Sequence, residues 1–417
     1  MRASRPLHAE HMFAICPVRM IVFPGMTSHT SLRIAGLFAG IGGIELGLHN
    51  AGHSTEFLCE WDESARLVLT KRFPGIHVAS DVAQLAAIPA VDVLTAGFPC
   101  QDLSQAGNTA GIHGSRSGLV DQVFRLIDGA KPSPTWLLLE NVSFMLSLDK
   151  GKAMRWLTNQ LERRGFTWAY RVVDSRAFGL PQRRQRVLLL ASQTEDPRPI
   201  LLNQDHGEVE VTDRSGLACG FYWTEGVRGL GWAVDAIPTL KGGSTIGIPS
   251  PPAIWKSNTR QIVTPDLRDA ERIQGFAADW TAAVDEIPGR AKTSRWKLVG
   301  NAVSVPVAHW VGERLKTDEV YDHVNDAILA DGDRWPRAAW GRTGEHHSVD
   351  VSMWPVAHAR PHLHEFLAYE PALLSARATA GFLSRAARGN LRIPEDLICE
   401  AKAHLETMSP QAQLAVA

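Results

Sequence analysis

Short apolar runs alternate with stretches of helical periodicity over residues 32–192. The runs Leu32 to Leu37, Thr55 to Cys59, Ile76 to Ala79, Val91 to Thr95, Trp136 to Leu139, Thr167 to Val173 and Val187 to Ala191 predict buried strands. Between them, helices are expected through Ile44, Leu46, Leu48 and Ala51, and over Glu63 to Arg72, Leu119 to Ile127 and Lys152 to Arg164. Strands that alternate with helices predict an open α/β sheet. Such sheets bind ligands just outside the carboxyl ends of their strands, so the residues that follow each apolar run carry the chemical information.

The first run leads into Phe38-Ala39-Gly40-Ile41-Gly42-Gly43 and then a helix, the layout of a nucleotide-binding βα unit. A tight connection without a ligand would look the same. The second ends in Glu60-Trp61-Asp62. An acidic residue there, roughly 20 residues past the glycines, suits ribose hydroxyls, while Asp62 suits an N-cap for the helix from Glu63. Asp81, in Ser80-Asp81-Val82, is placed either to accept from an adenine amino group or to cap a helix.

The fourth run ends in Gly97-Phe98-Pro99-Cys100-Gln101. Pro99 fixes its own φ and biases Phe98 toward extended backbone, which stiffens the approach to Cys100. A free cysteine so placed is a candidate nucleophile, and it reacts as the thiolate. A small buried hydrophobe is the alternative. The glycine- and serine-rich stretch 104–118, with Ser104 and Arg116, reads as a mobile loop over substrate. Glu140, in Glu140-Asn141-Val142, stands at another strand end, where it could meet a substrate ring nitrogen or remain an ordinary carboxylate. In Gln182-Arg183-Arg184-Gln185-Arg186, strand alternation puts Gln182, Arg184 and Arg186 on one face and Arg183 on the other. Beside a buried sheet those three need a phosphate, a thiolate or a polar base edge, unless the strand is a solvated edge.

Composition narrows the picture. The chain has 417 residues, 45% of them hydrophobic and 21% charged, with a net charge of -1, so any polyanion must be met by a local positive surface. Five cysteines without CxxC spacing argue against a disulfide framework or a structural zinc, and no metal site is expected. No apolar run is long enough to span a bilayer, and no membrane association is expected. Residues 1–30, with Met12, Met20 and Met26 among them, read as a disordered extension with a later start such as Met26.

Taken in order, Phe38 to Gly43, Glu60, Asp81, Gly97 to Gln101 with Ser104, Glu140 to Val142 and Gln182 to Arg186 resemble the cytosine-C5 DNA methyltransferase family. Thr264-Pro265 with Arg268 to Phe276, and Gly300-Asn301-Ala302-Val303, resemble its closing motifs, so the resemblance covers roughly residues 32–315. Gly36 departs from it, since the family often carries Asp there.

The resemblance implies a doubly wound, Rossmann-like sheet that binds S-adenosylmethionine. Phe38, Ala39, Gly40, Ile41, Gly42 and Gly43 would form the methionine pocket. Glu60 would hold the ribose and Asp81 the adenine amino group, with Trp61 and Val82 also at the cofactor, while Asn301, with Ala302 and Val303, closes the pocket. Cys100, held by Pro99, would attack cytosine C6; Glu140 would stabilise the protonated ring nitrogen. Arg184 and Arg186 would contact the base oxygen and the charge near the sulfur. The target base must be flipped out of the duplex.

The same resemblance sets the domains. They are a catalytic and cofactor-binding part at 31–192, a short target-recognition region at 193–263, a return to the catalytic domain at 264–316 and a helical C-terminal appendage at 317–417. Phe221, Tyr222, Trp223 and Trp232 among glycines suit a small β module that reads a groove, or plain packing. Thr239 and Lys241, in a stretch similar to one that orients this region in the family, are expected to contact DNA together with Gln101, Ser104 and Arg116. Helical spacing over Pro371 to Arg388 underlies the appendage, which is expected to supplement recognition.

The expected partners are double-stranded DNA and a cognate restriction endonuclease, for a monomer in the cytoplasm of a bacterial or phage-infected cell. A transfer-RNA cytosine methyltransferase and a silent DNA-binding protein of the same fold are the rival readings. The first lacks its Cys-Phe-Thr tripeptide in the recognition region, and the second leaves the Pro99-Cys100, Glu140 and arginine set unexplained.

Overall fold

Ten strands order the central sheet, and the first of them follow the apolar runs closely. The computed structural model of the chain describes residues 31–98, 118–209, 211, 213–242, 251–287 and 292–414. The expectations for residues 1–30 and for the loop up to 117 lie outside the described residues. Strands β1 (Arg33–Leu37), β2 (Ser54–Cys59), β3 (His77–Ala79), β4 (Val93–Ala96) and β5 (Trp136–Val142) are parallel, in the spatial order β3-β2-β1-β4-β5. The order reverses between β1 and β4, the point at which open α/β sheets bind ligands at the carboxyl ends of their strands. Helices α1 (Gly43–Asn50), α2 (Glu63–Arg72), α3 (Leu119–Gly129) and α4 (Lys152–Glu162) are the crossovers and flanking layer. Asp62 caps α2 by accepting from the Ser64 and Ala65 amides, as the sequence predicts.

Beyond β5 the sheet turns antiparallel through β6 (Thr167–Asp174), then β7 (Gln182–Arg183), which stands apart, and β8 (Gln185–Ser192), which lies between β5 and β6. Helix α5 (Arg198–Leu202) leads to a second, five-stranded sheet. It holds β9 (Cys219–Phe221), β10 (Trp232–Val234), β12 (Ala253–Lys256) and β13 (Gln261–Thr264). The short β11 (Ile237–Pro238) pairs in parallel with β7 and straps this region to the arginine strand. Helices α6 (Leu267–Ile273), α7 (Lys292–Asn301) and α8 (Val305–Arg314) return to the catalytic layer. Phe276, Trp280 and Val305 share a core there with Ile41 of the glycine turn and with Val68 and Leu69 of α2.

The tail departs from the expected helical appendage. Strands β14 (Asp326–Ile328), β15 (Ala338–Arg342) and β16 (Glu345–Val349) extend the central sheet, with β15 antiparallel to β6. They cover the backbone edge that β6 would otherwise leave unpaired. Trp340 stacks on His347 with ring centroids 4.4 Å apart. After α9 (Leu363–Phe366), strand β17 (Ala372–Leu373) adds to the second sheet beside β13. Helix α10 (Ala376–Ala386) starts later than the apolar spacing suggests, because Leu373 is already paired as strand and Ser375 caps the helix. With α11 (Glu395–Leu414) it packs on the second sheet, Phe382 against Phe221 at 4.4 Å between centroids. Phe221 is therefore a packing residue, and the half-buried Trp223 and Trp232 indoles donate to the carbonyls of Pro251 and Arg392.

Candidate functional site

Three backbone positions in the first turn, Phe38, Gly40 and Gly42, have φ of 54°, 57° and 83°. The left-handed conformation suits glycine best, and Phe38 adopts it without that relief. The turn is held from two sides. The Gly40 amide donates to Glu60 Oε2 at 2.8 Å, and the Trp280 indole donates to the Ile41 carbonyl at 2.9 Å. A Cβ on Gly43 would lie 2.3 Å from the Val303 carbonyl, so glycine there lets the last motif sit directly on the turn. Sequence spacing does not reveal the Trp280 contact; nothing local to that residue marks it.

Glu60 directly follows β2, and its other oxygen accepts from the Asp62 amide at 2.7 Å. Burial pushes its pKa upward. Trp61, beside it, is 74% exposed, unusual for so large an apolar ring. Asp81 accepts from the Ala83 amide and the Gln84 side chain, so it caps a helical turn that begins at Val82. Asn301 and Ala302 close α7 and the turn after it; Asn301 Oδ1 lies where a Cβ on Gly242 would approach to 2.7 Å.

At the end of β5 the carboxylate of Glu140 is 8% exposed, and its Oε1 lies 3.0 Å from Arg186 Nε. Its Oε2 lies 3.6 Å from the position of a Cβ on Gly97, at the end of β4. Asn141, next along the strand, donates from Nδ2 to the Phe98 carbonyl at 3.0 Å. That bond fixes the chain two residues before Cys100. Pro99, Cys100, Gln101, Ser104 and Arg116 themselves lie outside the described residues. Cys59 and Cys219 are buried, and desolvation pushes their thiols up to about 12 and about 11, so neither is a thiolate near neutrality.

The alternation expected for 182–186 is present, but its polar face is mostly turned inward. Gln182 is fully buried; it donates to the Ile273 carbonyl and Gln274 Oε1 and accepts from the Leu240 amide. Arg184 is 1% exposed. Its guanidinium donates to the carbonyls of Leu240, Gly300 and Ala302, the last at 2.6 Å, and its Nε has no hydrogen-bond partner among the described residues. A buried guanidinium requires acceptors, and the Leu240 carbonyl together with the carbonyls at the end of α7 supplies them to Arg184. Arg186 is the arginine of this set that reaches the carboxylate.

A concavity of about 460 Å³ opens beside that pair. Its wall includes Val142, Phe144, Arg183, Arg186 and Thr239. Thr239 donates to the Arg183 carbonyl and its own carbonyl accepts from the Tyr222 hydroxyl. Lys241 pairs with Glu225 at 3.1 Å and sits over the Tyr222 ring. Among the described residues no group of three or more His, Cys, Asp or Glu is gathered to hold a metal ion, and no helix is long and apolar enough to cross a membrane.

The family model of the C-5 cytosine-specific DNA methylases matches residues 32–216. The Type II methyltransferase M2.BsuMI of Bacillus subtilis (strain 168) is 48% identical over 367 residues, which cover 86% of this chain and 94% of that protein. The Type II methyltransferase M.SsoII of Shigella sonnei is 30% identical over 68% of this chain and 79% of its own. M.NlaX of Neisseria lactamica, also a Type II methyltransferase, is 30% identical over 68% of this chain and 96% of its own.

Proposed function

This chain belongs to the cytosine-C5 DNA methyltransferase family and is a DNA (cytosine-5-)-methyltransferase, and we propose that it works through a covalent bond between the Cys100 sulfur and C6 of a cytosine flipped out of double-stranded DNA. The observation that carries this reading is the Glu140–Arg186 pair, set against Gly97 where β4 runs toward Cys100.

The chain's own residues divide the work. The Cys100 thiolate adds to C6, and the ring electrons move toward N3. N3 takes up a proton, and Glu140 stabilises the protonated ring nitrogen, with Arg186 holding that carboxyl and the base oxygen. C5 thereby becomes an enamine carbon able to accept an electrophilic methyl group. Loss of the C5 proton to a base then expels the thiolate and restores the ring. Asn141 and Arg184 are positioning residues. The first holds the Phe98 carbonyl, and the second ties the recognition strand to the closing motif.

The residues around the glycine turn fit S-adenosylmethionine. A Cβ on Gly40 would meet nothing within 4 Å, so the turn is open on that side, and the exposed Trp61 indole stands next to Glu60. Phe38 to Gly43 and Asn301 to Val303 would hold the methionine end, Glu60 the ribose hydroxyls, and Trp61, Asp81 and Val82 the adenine. When bound, the sulfonium supplies the methyl group.

Target recognition is assigned to 193–263, with Thr239, Lys241, Gln101, Ser104 and Arg116 as DNA contacts; catalysis is assigned to 31–192 and 264–316. The segment 317–417 serves both sheets. A Type II relative at 48% identity supports a cognate restriction endonuclease as partner. The enzyme would then act as a monomer in the cytoplasm of a bacterial or phage-infected cell.

The test is methylation mapping by chemical-conversion sequencing, in a host that lacks cytosine methylation, of cells expressing the chain or its Cys100→Ala variant. One short methylated motif, lost in the variant, is expected. Methylation that persists in the variant overturns the covalent mechanism.

A further inference from the structure

The wall of the base pocket carries two exposed side chains that the mechanism leaves unused. Phe144 stands one residue beyond Glu140-Asn141-Val142, in the helical turn Ser143–Leu146, and is 61% exposed. Its neighbour Met145 is buried and anchors the turn, so the ring is held out from a fixed base. Arg183 is exposed too, and its guanidinium makes no hydrogen bond or ion pair with any described residue. Cations around it are engaged: Arg176 with Asp174 and Glu208, Arg186 with Glu140, Lys241 with Glu225.

The backbone of Arg183 is also rigid. It pairs with Pro238 of β11, and its carbonyl accepts from Thr239 Oγ1 at 2.9 Å. Arg183 further lines a second concavity, of about 440 Å³, that runs along β10 past Trp232. One guanidinium thus stands between the base pocket and the recognition sheet.

Single exposed apolar residues are common and need no ligand. Here an aromatic ring and a planar cation that is unpaired among the described residues share the wall of the cavity that contains Arg186. A ring offers a stacking face to any base. A guanidinium fork matches a phosphate in a way that a lone ammonium does not. We propose that Phe144 and Arg183 form the mouth of the target-base pocket, with the Phe144 ring stacked on the extruded base and Arg183 gripping a phosphate of the same DNA strand. The assignment rests on the reading of Glu140 and Arg186 as the catalytic end of that pocket.

The test compares the full-length enzyme with Arg183→Ala, Arg183→Lys, Phe144→Ala and Phe144→Trp on a duplex that carries the mapped site. In a parallel duplex 2-aminopurine replaces the target cytosine and brightens on leaving the stack. Arg183→Ala is expected to weaken DNA binding about tenfold. It should also reduce the slope of log affinity against log salt by about one. Arg183→Lys should keep the slope and lose part of the affinity. Phe144→Ala should cut the flipped population about tenfold, and Phe144→Trp should restore it.

A wild-type salt slope in Arg183→Ala overturns the phosphate contact; wild-type 2-aminopurine fluorescence in Phe144→Ala overturns the stacking. If Cys100→Ala still methylates, the underlying reading of the site fails. If Cys100→Ala is inactive while all four variants match the wild type, the mouth alone is overturned.

Discussion

Gly36 and Glu45 compete for one space: a Cβ on Gly36 would lie 2.3 Å from Glu45 Oε1. The Glu45 carboxyl, buried on α1 above β1, accepts from the Thr95 hydroxyl at 2.9 Å. It occupies the space beside Gly36, so that a longer side chain at that position would not fit without moving it. Gly36→Ala should therefore destabilise the protein by about 1–3 kcal/mol through overpacking. The double variant with Glu45→Ala should lose less than the sum of the two single changes. Denaturant unfolding of the four proteins measures this, and strict additivity would show that the two positions do not compete.

Burial also pushes the Glu45 carboxyl up to about 7. A folded acid that holds its proton more tightly than the unfolded chain contributes stability in full below the ordinary glutamate range. That contribution is lost as pH rises from about 4.5 to about 7, and amounts to about 3 kcal/mol across the window. Glu45→Gln keeps an acceptor for Thr95 and has no proton to lose. The variant should be more stable than wild type at pH 8 and equal to it near pH 4.5. Melting temperatures across pH 4.5 to 8 test this, and parallel curves for the two proteins would exclude a proton held by Glu45.

What could be read from the chain was local. Asp62 as a cap, the strand ends at Glu60 and Glu140 and the glycine turn all follow from neighbours within a few positions. Arg184 could be placed on a buried face by alternation, but its partners stand at 240, 300 and 302, and only the folded chain shows that they are carbonyls. Glu45 was hidden because a glutamate at helical spacing is normally solvated. The tail strands were hidden because each is only two to five residues long, and the pairings that attach them to the two sheets are distant: β15 lies more than 150 positions from β6 and β17 about a hundred from β13.

Arg184 and Arg186 should separate in experiment. Arg186→Lys keeps a cation beside the buried Glu140 but loses the fork that holds it and the base oxygen, and is expected to lower kcat by about 100-fold, with little change in melting temperature. Arg184→Ala leaves three buried carbonyls without their donor and should cost about 3–5 kcal/mol of stability. Kinetics and thermal unfolding on both variants decide the matter. A stable Arg184→Ala protein that has lost only kcat would return Arg184 to the base.

Asn141 offers a sharper probe of positioning. Its side chain is held to the Phe98 carbonyl, and its own Oδ1 accepts from the Val142 amide. Asn141→Asp has the same shape but cannot donate. The freed carbonyl then faces a carboxylate, and the segment leading to Cys100 loses its tether. A misplaced nucleophile costs about 100-fold in rate. The expected signature is a fall in kcat and in the yield of trapped covalent complex with 5-fluorocytosine DNA, while KM for DNA stays within about twofold. An equal loss of DNA binding would point to general unfolding of the strand end instead.

The second sheet depends on residues far along the chain, and this yields a prediction that distinguishes recognition from catalysis. Phe382 of α10 is 1% exposed and packs on Phe221 of β9, and β17 closes the sheet beside β13. Phe382→Ala opens a cavity between helix and sheet and should cost about 3–5 kcal/mol locally. The glycine turn and Glu60 belong to the other sheet, so S-adenosylmethionine affinity should be unchanged. KM for DNA should rise, and hydrogen exchange over 219–264 should quicken while that of β1, β4 and β5 remains slow. Deleting residues 317–417 is a coarser change, because it also strips β15 from β6 and exposes the central sheet. If Phe382→Ala speeds exchange equally in both sheets, the two are one cooperative unit, and the tail supports the whole enzyme rather than its recognition surface.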